Sequence, residues 1–425
     1  MRQMRHLILG SSAAAIAAAD VLRQARPEDS ITLASADERV HSRCLLHRYL
    51  SGERDVESLD FTRQDFLSLS NIDIIEDSPA LSVDIEKKAV HFESSTVQYD
   101  KLLIATGSNH TIPRISGLSA ASNVFTLGSL LDASKIKKEA EKAQLIAIIG
   151  SGFVGMSAAY GLKGCGAFVH VVEAGGRIIP AQLDRHVASI YQKRFEQAGV
   201  TFFLEKNVVA VTLYENGRAA ALEFEGRQML PCDMIVVATG SRPNIGFLEG
   251  SGIKLGNGVT VDRHMQTSVA DVYSAGDVTG LSGSWHAAIK QGRVAGHNMA
   301  NPGSVVYEDD IHTARTINFF GIPTVSIGNI NPPEDEFDEY EFNQGVKYMK
   351  LILKDGVAVG ALLSGDIANA GHWKYLIKNA VPLDKLNKSP AQVEYADFFE
   401  IDQNTAEFRY NFDKAKPAGG LPEQL

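Results

Sequence analysis

Two short segments of this chain have the residue types and spacing to hold a pyrophosphate. His6-Leu7-Ile8-Leu9-Gly10-Ser11-Ser12-Ala13-Ala14-Ala15 and Ile146-Ala147-Ile148-Ile149-Gly150-Ser151-Gly152-Phe153-Val154-Gly155 share one design. Each is an apolar strand run that breaks at a glycine and restarts as a helix of small residues. That turn aims a helix N-terminus and its free N–H groups at phosphate. In the second copy Gly150, Gly152 and Gly155 complete a Gly-x-Gly-x-x-Gly fingerprint, and Glu173 ends the next strand about 20 residues on. An acid there accepts from the adenosine 2′-hydroxyl and repels a 2′-phosphate, so NADH is expected over NADPH. The plainer alternative for Glu173 is a surface glutamate at a strand end. The first copy is degenerate: Gly10 is kept, but Ser12 replaces the second glycine and Ala15 the third. Its ribose acid is unclear, because the strand runs into Ala34-Ser35-Ala36 and the first carboxylates are Asp37 and Glu38. Two such turns in one chain suggest an enzyme that holds two dinucleotides and passes electrons between them.

The elements that must position these turns are duplicated. Ile31-Thr32-Leu33-Ala34 follows the first helix, and Leu102-Leu103-Ile104-Ala105-Thr106-Gly107 closes the first unit. Val169-His170-Val171-Val172-Glu173 and Met234-Ile235-Val236-Val237-Ala238-Thr239-Gly240 repeat the scheme. Between these two lies an antiparallel excursion with turns at Asn216-Gly217 and Glu225-Gly226. Val272-Tyr273-Ser274-Ala275-Gly276-Asp277 then forms a short strand ending at an acid, followed by a helix that begins near Trp285. Farther on, Tyr348–Leu353 and Val357–Leu363 flank an Asp355-Gly356 hairpin turn. The expected fold class is α/β: two Rossmann-like dinucleotide-binding domains, the first discontinuous, plus a C-terminal α+β domain. The expected boundaries are 1–110 and 241–305 for the first domain, 111–240 for the second, 306–413 for the third and a flexible tail at 414–425.

Composition narrows the class. The 425 residues predict about three domains at roughly 150 residues each. A net charge of −10 argues against a nucleic-acid partner, which needs a basic face. Three cysteines with no Cys-x-x-Cys pair exclude a disulfide framework, a four-cysteine zinc site and a four-cysteine iron–sulfur cluster. No metal site is expected, and any cluster chemistry must sit on a partner. Met1-Arg2-Gln3-Met4-Arg5 and the apolar run ending in Ala17-Ala18-Ala19 imitate a signal peptide, but cleavage there would delete the opening strand and phosphate turn. No segment offers the ~18 apolar residues of a membrane span. The chain therefore reads as cytoplasmic.

Ala105-Thr106-Gly107, the second fingerprint with Glu173, Ala238-Thr239-Gly240-Ser241-Arg242-Pro243-Asn244 and Ser274-Ala275-Gly276-Asp277 together resemble the pyridine nucleotide–disulfide oxidoreductase superfamily. The likeness covers residues 1 to about 305. It implies FAD in the first domain, bound through Gly10, Ser12, Ala15, Thr106, Gly107 and Gly276, with Asp277 on the ribityl chain. It implies NADH in the second, bound through Gly150, Gly152, Gly155, Glu173 and Gly240. Arg43-Cys44-Leu45-Leu46 and Leu50-Ser51-Gly52 resemble the flavin-side segment of NADH-dependent rubredoxin reductases and nitrite reductase FAD units. Arg43 is then a cofactor contact. Gln291–Asn298 resembles the helix facing the flavin pyrimidine, with Trp285 and His286 at its start as candidate walls or plain helix-start residues. Phe319-Phe320-Gly321-Ile322-Pro323-Thr324 resembles the start of the C-terminal interface domain. The implied acceptor is a small rubredoxin- or ferredoxin-like iron protein, and homodimerisation stays open.

The chain departs from the resemblance beside the flavin. Many relatives pair a lysine beside flavin N5 with a glutamate after the second fingerprint; Arg48 and Ser157 stand at those positions. Arg48 and His47 are therefore candidates for handling protons there. Cys44 has the spacing to Tyr49-Leu50 seen around the single redox cysteine of NADH oxidases and coenzyme A disulfide reductases. An oxidase, or a disulfide or persulfide reductase, working through Cys44 is the first alternative function. A nucleotide-regulated flavoprotein scaffold is the second. Cys165 and Cys232 are expected to be packing residues, and the acidic run 334–339 a solvated loop.

Overall fold

The computed structural model describes residues 3–63, 65–281, 283–308, 314–333, 336–345, 347–384, 386, 388–402 and 405–410. Two compact units are present: residues 1–176 with 195–309, and residues 177–194 with 310–425. The tail expected at 414–425 lies outside the described residues, as do Glu334 and Asp335 of the acidic run.

The first unit holds two five-stranded parallel sheets of the same design. In one, Arg5–Leu9 is central, flanked by Ser30–Ala34 and Lys101–Ile104, with Asp73–Ile75 and Val272–Ser274 outermost. In the other, Leu145–Ile149 is central, flanked by Phe168–Val172 and Met234–Val237, with Val200–Phe203 and Val124–Thr126 outermost. Central strands buried on both faces read as unbroken apolar runs: Leu7, Ile8 and Leu9 are buried, as are Ile146, Ala147 and Ile148. The registers agree as well. The Gly10 N–H donates to the Ala34 carbonyl at 2.7 Å, and the Gly150 N–H to that of Val172 at 2.8 Å. Because Val272–Ser274 joins the first sheet beside Lys101–Ile104, the first Rossmann-like domain is discontinuous.

Smaller sheets complete this unit. Val208–Leu213, Ala219–Phe224 and Met229–Pro231 form the excursion expected between the second and closing strands. A second meander, Ser82–Asp84, Ala89–His91 and Thr96–Gln98, has strands too short to leave a clear alternation in the sequence. Ser108–His110 pairs antiparallel with Ser241–Pro243, each directly after a closing Ala-Thr-Gly turn. The helices Ala13–Ala25 and Trp285–Ala300 lie in very close contact. A Cβ on Gly292 would stand 2.2 Å from the Ala14 carbonyl oxygen, and one on Gly296 2.7 Å from that of Ala18.

The second unit carries a five-stranded antiparallel sheet ordered Arg315–Phe319, Ile322–Gly328, Val357–Ser364, Lys347–Lys354, Asp338–Gln344. The helix Ala370–Lys378 contributes Trp373, Leu376 and Ile377 to its core. Asp355 and Gly356 both have positive φ, 51° and 76°, as a two-residue hairpin turn requires. The acidic run is not a loop throughout: Asp338 and Glu339 begin the edge strand, and Glu339 pairs with Lys350 at 2.8 Å. An edge strand gains from such charges, which discourage further strand pairing.

Candidate active site

The first phosphate turn opens into a cavity of about 450 Å³. Gly10 has φ +123°, and a Cβ on it would fall 2.3 Å from the Ala105 carbonyl oxygen, so only glycine lets the closing strand pass this near. Ser12 is the N-cap of Ala13–Ala25, yet its side chain makes no capping bond. The first N–H groups of that helix are left for a ligand at the cavity wall. Ser12, Thr106, Gly107, Gly276 and Asp277 all line the cavity. Gly107, with φ +70°, has nothing within 4 Å of a built Cβ. Thr106 Oγ1 instead turns to the Asn244 carbonyl at 3.1 Å.

Polar groups converge on this space. Asp277 Oδ2 accepts from Ser108 Oγ at 3.3 Å. Burial pushes its carboxyl pKa up, and the Ser108 bond and Arg43 oppose that rise only in part. A half-buried carboxylate with one weak partner suits a ligand rich in hydroxyl donors. Arg43 donates from Nη2 to Asp37 Oδ2 at 3.1 Å, while its buried Nε has no partner. Gln291 Oε1 accepts from the Gly276 N–H at 2.7 Å and so fixes the turn that carries Asp277. Trp285 lines the cavity and packs edge-on against Phe61 at 4.8 Å.

At the second turn Gly150 has φ +102°, and its Cβ would fall 2.5 Å from the Ala238 carbonyl oxygen. Gly155 faces the Gly150 carbonyl oxygen, where a Cβ would stand 2.0 Å away. Gly152 has nothing within 4 Å of a built Cβ, and as N-cap of Phe153–Leu162 it offers no side-chain cap. Gly240, φ +118°, is equally open and mirrors Gly107. Glu173 Oε2 accepts from the Ser151 N–H and Oγ, both at 2.8 Å, and Oε1 from the Gly175 N–H at 2.8 Å. The carboxylate is thus drawn over the glycine turn.

The short helix Leu46–Leu50 packs on Phe153–Leu162 at Gly161, where a Cβ would meet Leu50 Cβ at 2.6 Å and the His47 carbonyl oxygen at 2.9 Å. His47 is buried and sits edge-on to Tyr160 at 5.7 Å. Burial, then the nearby Arg48 charge, hold its imidazole pKa down to about 4. Ser157 is buried and its Oγ has no partner, so no acid–base pair spans these two helices at Arg48 and Ser157. Cys44 is solvent-exposed at the cavity wall, yet protein crowds it enough that desolvation, then the Asp277 carboxylate, push its thiol pKa up.

The cavity brings together Gly10, Ser12, Arg43, Cys44, Thr106, Gly107, Gly276 and Asp277. It does not include Ala15, buried inside its helix, nor His47 and Arg48. His286 is exposed and points away from the expectation: its neighbour Trp285, one helical position earlier, is the wall. Cys232 is buried, and burial lifts its thiol to about 12, but Cys165 is exposed and is not a packing residue. Sequence reasoning missed the Gly292/Gly296 pair that lets two helices touch. Its signal was present, since Gly-x-x-x-Gly faces Ala14-x-x-x-Ala18.

Comparison with known proteins identifies the family. The family described as pyridine nucleotide-disulphide oxidoreductase matches residues 4–292, and the rubredoxin NAD+ reductase C-terminal domain matches residues 314–381. Nitrite reductase [NAD(P)H] of Bacillus subtilis is 27% identical over 405 residues, which cover 91% of this chain and 49% of that one. The chain thus spans about half the length of that relative. Among solved structures, NADH:rubredoxin oxidoreductase from Clostridium acetobutylicum superposes with a TM-score of 0.74 at 25% identity, covering 92% of this chain and 99% of that one. A NAD-dependent persulfide reductase from A. fulgidus gives 0.79 at 27% identity, covering 92% and 80%.

Proposed function

Because the chain belongs to the pyridine nucleotide–disulphide oxidoreductase family, whose members use FAD and NAD(P)H, we propose that it is an NADH:acceptor oxidoreductase serving a small rubredoxin- or ferredoxin-like protein. The observation that carries this reading is the pair of uncapped helix N-termini beneath glycine turns, only one of them furnished with a ribose carboxylate. FAD would supply the hydride-accepting and electron-releasing chemistry. The residues of the chain bind, orient and exclude water. The N–H groups ahead of Ala13–Ala25 and the free Nε of Arg43 would meet the flavin pyrophosphate, and Asp277 would accept from the ribityl hydroxyls. Gly152 lets the backbone approach the second pyrophosphate, and Glu173 selects an unphosphorylated ribose. The helix Trp285–Ala300 presents its positive end at the cavity, where it favours negative charge.

Support for a protein acceptor comes from the match at residues 314–381 and from the chemistry of Cys44. A thiol whose pKa is pushed up is a poor nucleophile near neutrality. The three cysteines are free thiols, which suits a reducing cytoplasm. A second reading has one observation in its favour: Cys44 faces the same cavity as Asp277, so a persulfide, peroxide or disulfide could be reduced there. Rapid-mixing reduction with NADH, followed by a panel of acceptors, separates them. Fast flavin reduction excludes the scaffold. If Cys44→Ser keeps reduction of one-electron acceptors within a few-fold, electrons leave the flavin directly. Loss of all turnover in that variant, with a long-wavelength charge-transfer band in the reduced parent, would assign the activity to the thiol.

A further inference from the structure

The two nucleotide halves can be compared strand by strand, and their symmetry breaks at the end of the second strand. In the second half the Ala238 N–H donates to the Ile149 carbonyl at 2.8 Å, and the Glu173 N–H to that of Phe203 at 3.0 Å. In the first half the Ala105 N–H donates to the Leu9 carbonyl at 2.9 Å, and the Ser35 N–H to that of Ile75 at 2.9 Å. Ser35 therefore occupies the place of Glu173. Its surroundings agree: Ser35 Oγ lies 2.7 Å from Ser11 Oγ and accepts from the Asp37 N–H at 3.0 Å. Glu173 holds the same two kinds of partner, the Ser151 hydroxyl and the Gly175 N–H. Ser11, Ser35 and Asp37 all line the cavity.

We infer that Ser35 sets the flavin affinity of this chain by replacing the ribose carboxylate of the first site with a neutral hydroxyl. The inference rests on the reading of the first site as the FAD site. A serine already engaged by Ser11 and Asp37 offers the ribose at most a neutral hydrogen bond, whereas a carboxylate would offer charge-assisted ones, roughly twice as strong. The displaced negative charge, Asp37, is committed to Arg43 at 3.1 Å. The adenosine end of FAD is then held weakly, and retention depends on the pyrophosphate and ribityl contacts. Glu173, by contrast, grips the adenosine of the second dinucleotide.

The test is the dissociation constant of the full-length protein for FAD and for FMN, which lacks the adenosine, measured by ultrafiltration and flavin fluorescence. Ser35→Glu should tighten FAD about tenfold and leave FMN unchanged. Unchanged or weakened FAD binding in a folded Ser35→Glu protein overturns the inference, and so does an equal gain for FMN. Should Ser35→Glu fail to fold, Glu173→Ser installs the first half's pattern in the second. It should weaken NADH binding about tenfold, measured by NADH fluorescence, with FAD retention unchanged. Undiminished NADH affinity overturns the equivalence of the two positions. A parent protein that binds no FAD at all would instead remove the flavoenzyme reading itself.

Discussion

His372 gives a pH dependence whose size follows from its surroundings. The side chain is fully buried on the helix Ala370–Lys378, within 4.3 Å of the Tyr395 ring and 5.7 Å of Trp373 and Phe398. Neither ring nitrogen has a hydrogen-bond partner. Burial lowers its pKa from 6.5 to about 4, and the Asp397 charge recovers only part of the loss. The folded protein therefore keeps His372 neutral where the unfolded chain would protonate it. This cost is absent above about pH 6.5 and grows as pH falls through the window from 6.5 to about 4. At about 1.36 kcal/mol per tenfold change in proton affinity, the full window is worth about 3 kcal/mol, and the stretch from 6.5 to pH 5 about 2 kcal/mol. Asp366 and Asp397 have pKa values below their ordinary 3.8, so they titrate outside this window. The chain has two tryptophans, Trp285 in the first unit and Trp373 in the second. In a Trp285→Phe background, Trp373 fluorescence reports unfolding at the core of the second unit. Urea unfolding at about pH 7.5 and about pH 5 should show a loss near 2 kcal/mol in the parent and a much smaller one in His372→Phe. Identical pH dependence in the two proteins would refute the reasoning.

Three further outcomes test the candidate site. Asp277→Ala should cost about 1.5–3 kcal/mol of flavin binding, read as the FAD dissociation constant; a variant that keeps FAD as tightly as the parent would remove Asp277 from the site. NADH should be preferred to NADPH in steady-state kinetics, and Glu173→Ala should narrow that preference; equal use of both by the parent counts against the assignment. Gly292→Ala should lower stability by about 1–3 kcal/mol and loosen FAD, because the new Cβ meets the Ala14 carbonyl oxygen at 2.2 Å. Thermal unfolding of the flavin-loaded protein reads it, and an unshifted midpoint would mean that the two helices separate at little cost.

Much of the fold was legible because its constraints are local. An apolar run that breaks at a glycine and restarts as a helix of small residues is a local signal, and Gly10 and Gly150, both with positive φ, stand at such breaks. The closing Ala-Thr-Gly runs were legible for a related reason: Ala105 and Ala238 are the residues under which those glycines must pass. Pairings between distant segments left no such mark. The run ending in Gly276-Asp277 assigned the Val272 strand to the first domain, but nothing in it names Leu102 as its neighbour, and the strands of the meander between Ser82 and Gln98 have three residues each.

The first-half counterpart of Glu173 is obscured by a difference in helix length. The first helix, Ala13–Ala25, has 13 residues and its counterpart, Phe153–Leu162, has 10. Counting along the chain from each glycine therefore does not reach equivalent positions, and reading past the strand end Ala34-Ser35-Ala36 for the first acid reaches Asp37 and Glu38, with no ribose acid assigned. Strand register ignores helix length. It fixes Ser35 by the hydrogen bond to Ile75, as it fixes Glu173 by the bond to Phe203. In a duplicated architecture, then, an absent carboxylate is located by hydrogen-bond register, not by distance along the sequence. The same register shows why Asp37 cannot simply take over: it stands where Gly175 does, two residues past the counterpart of Glu173, with its carboxylate turned to Arg43.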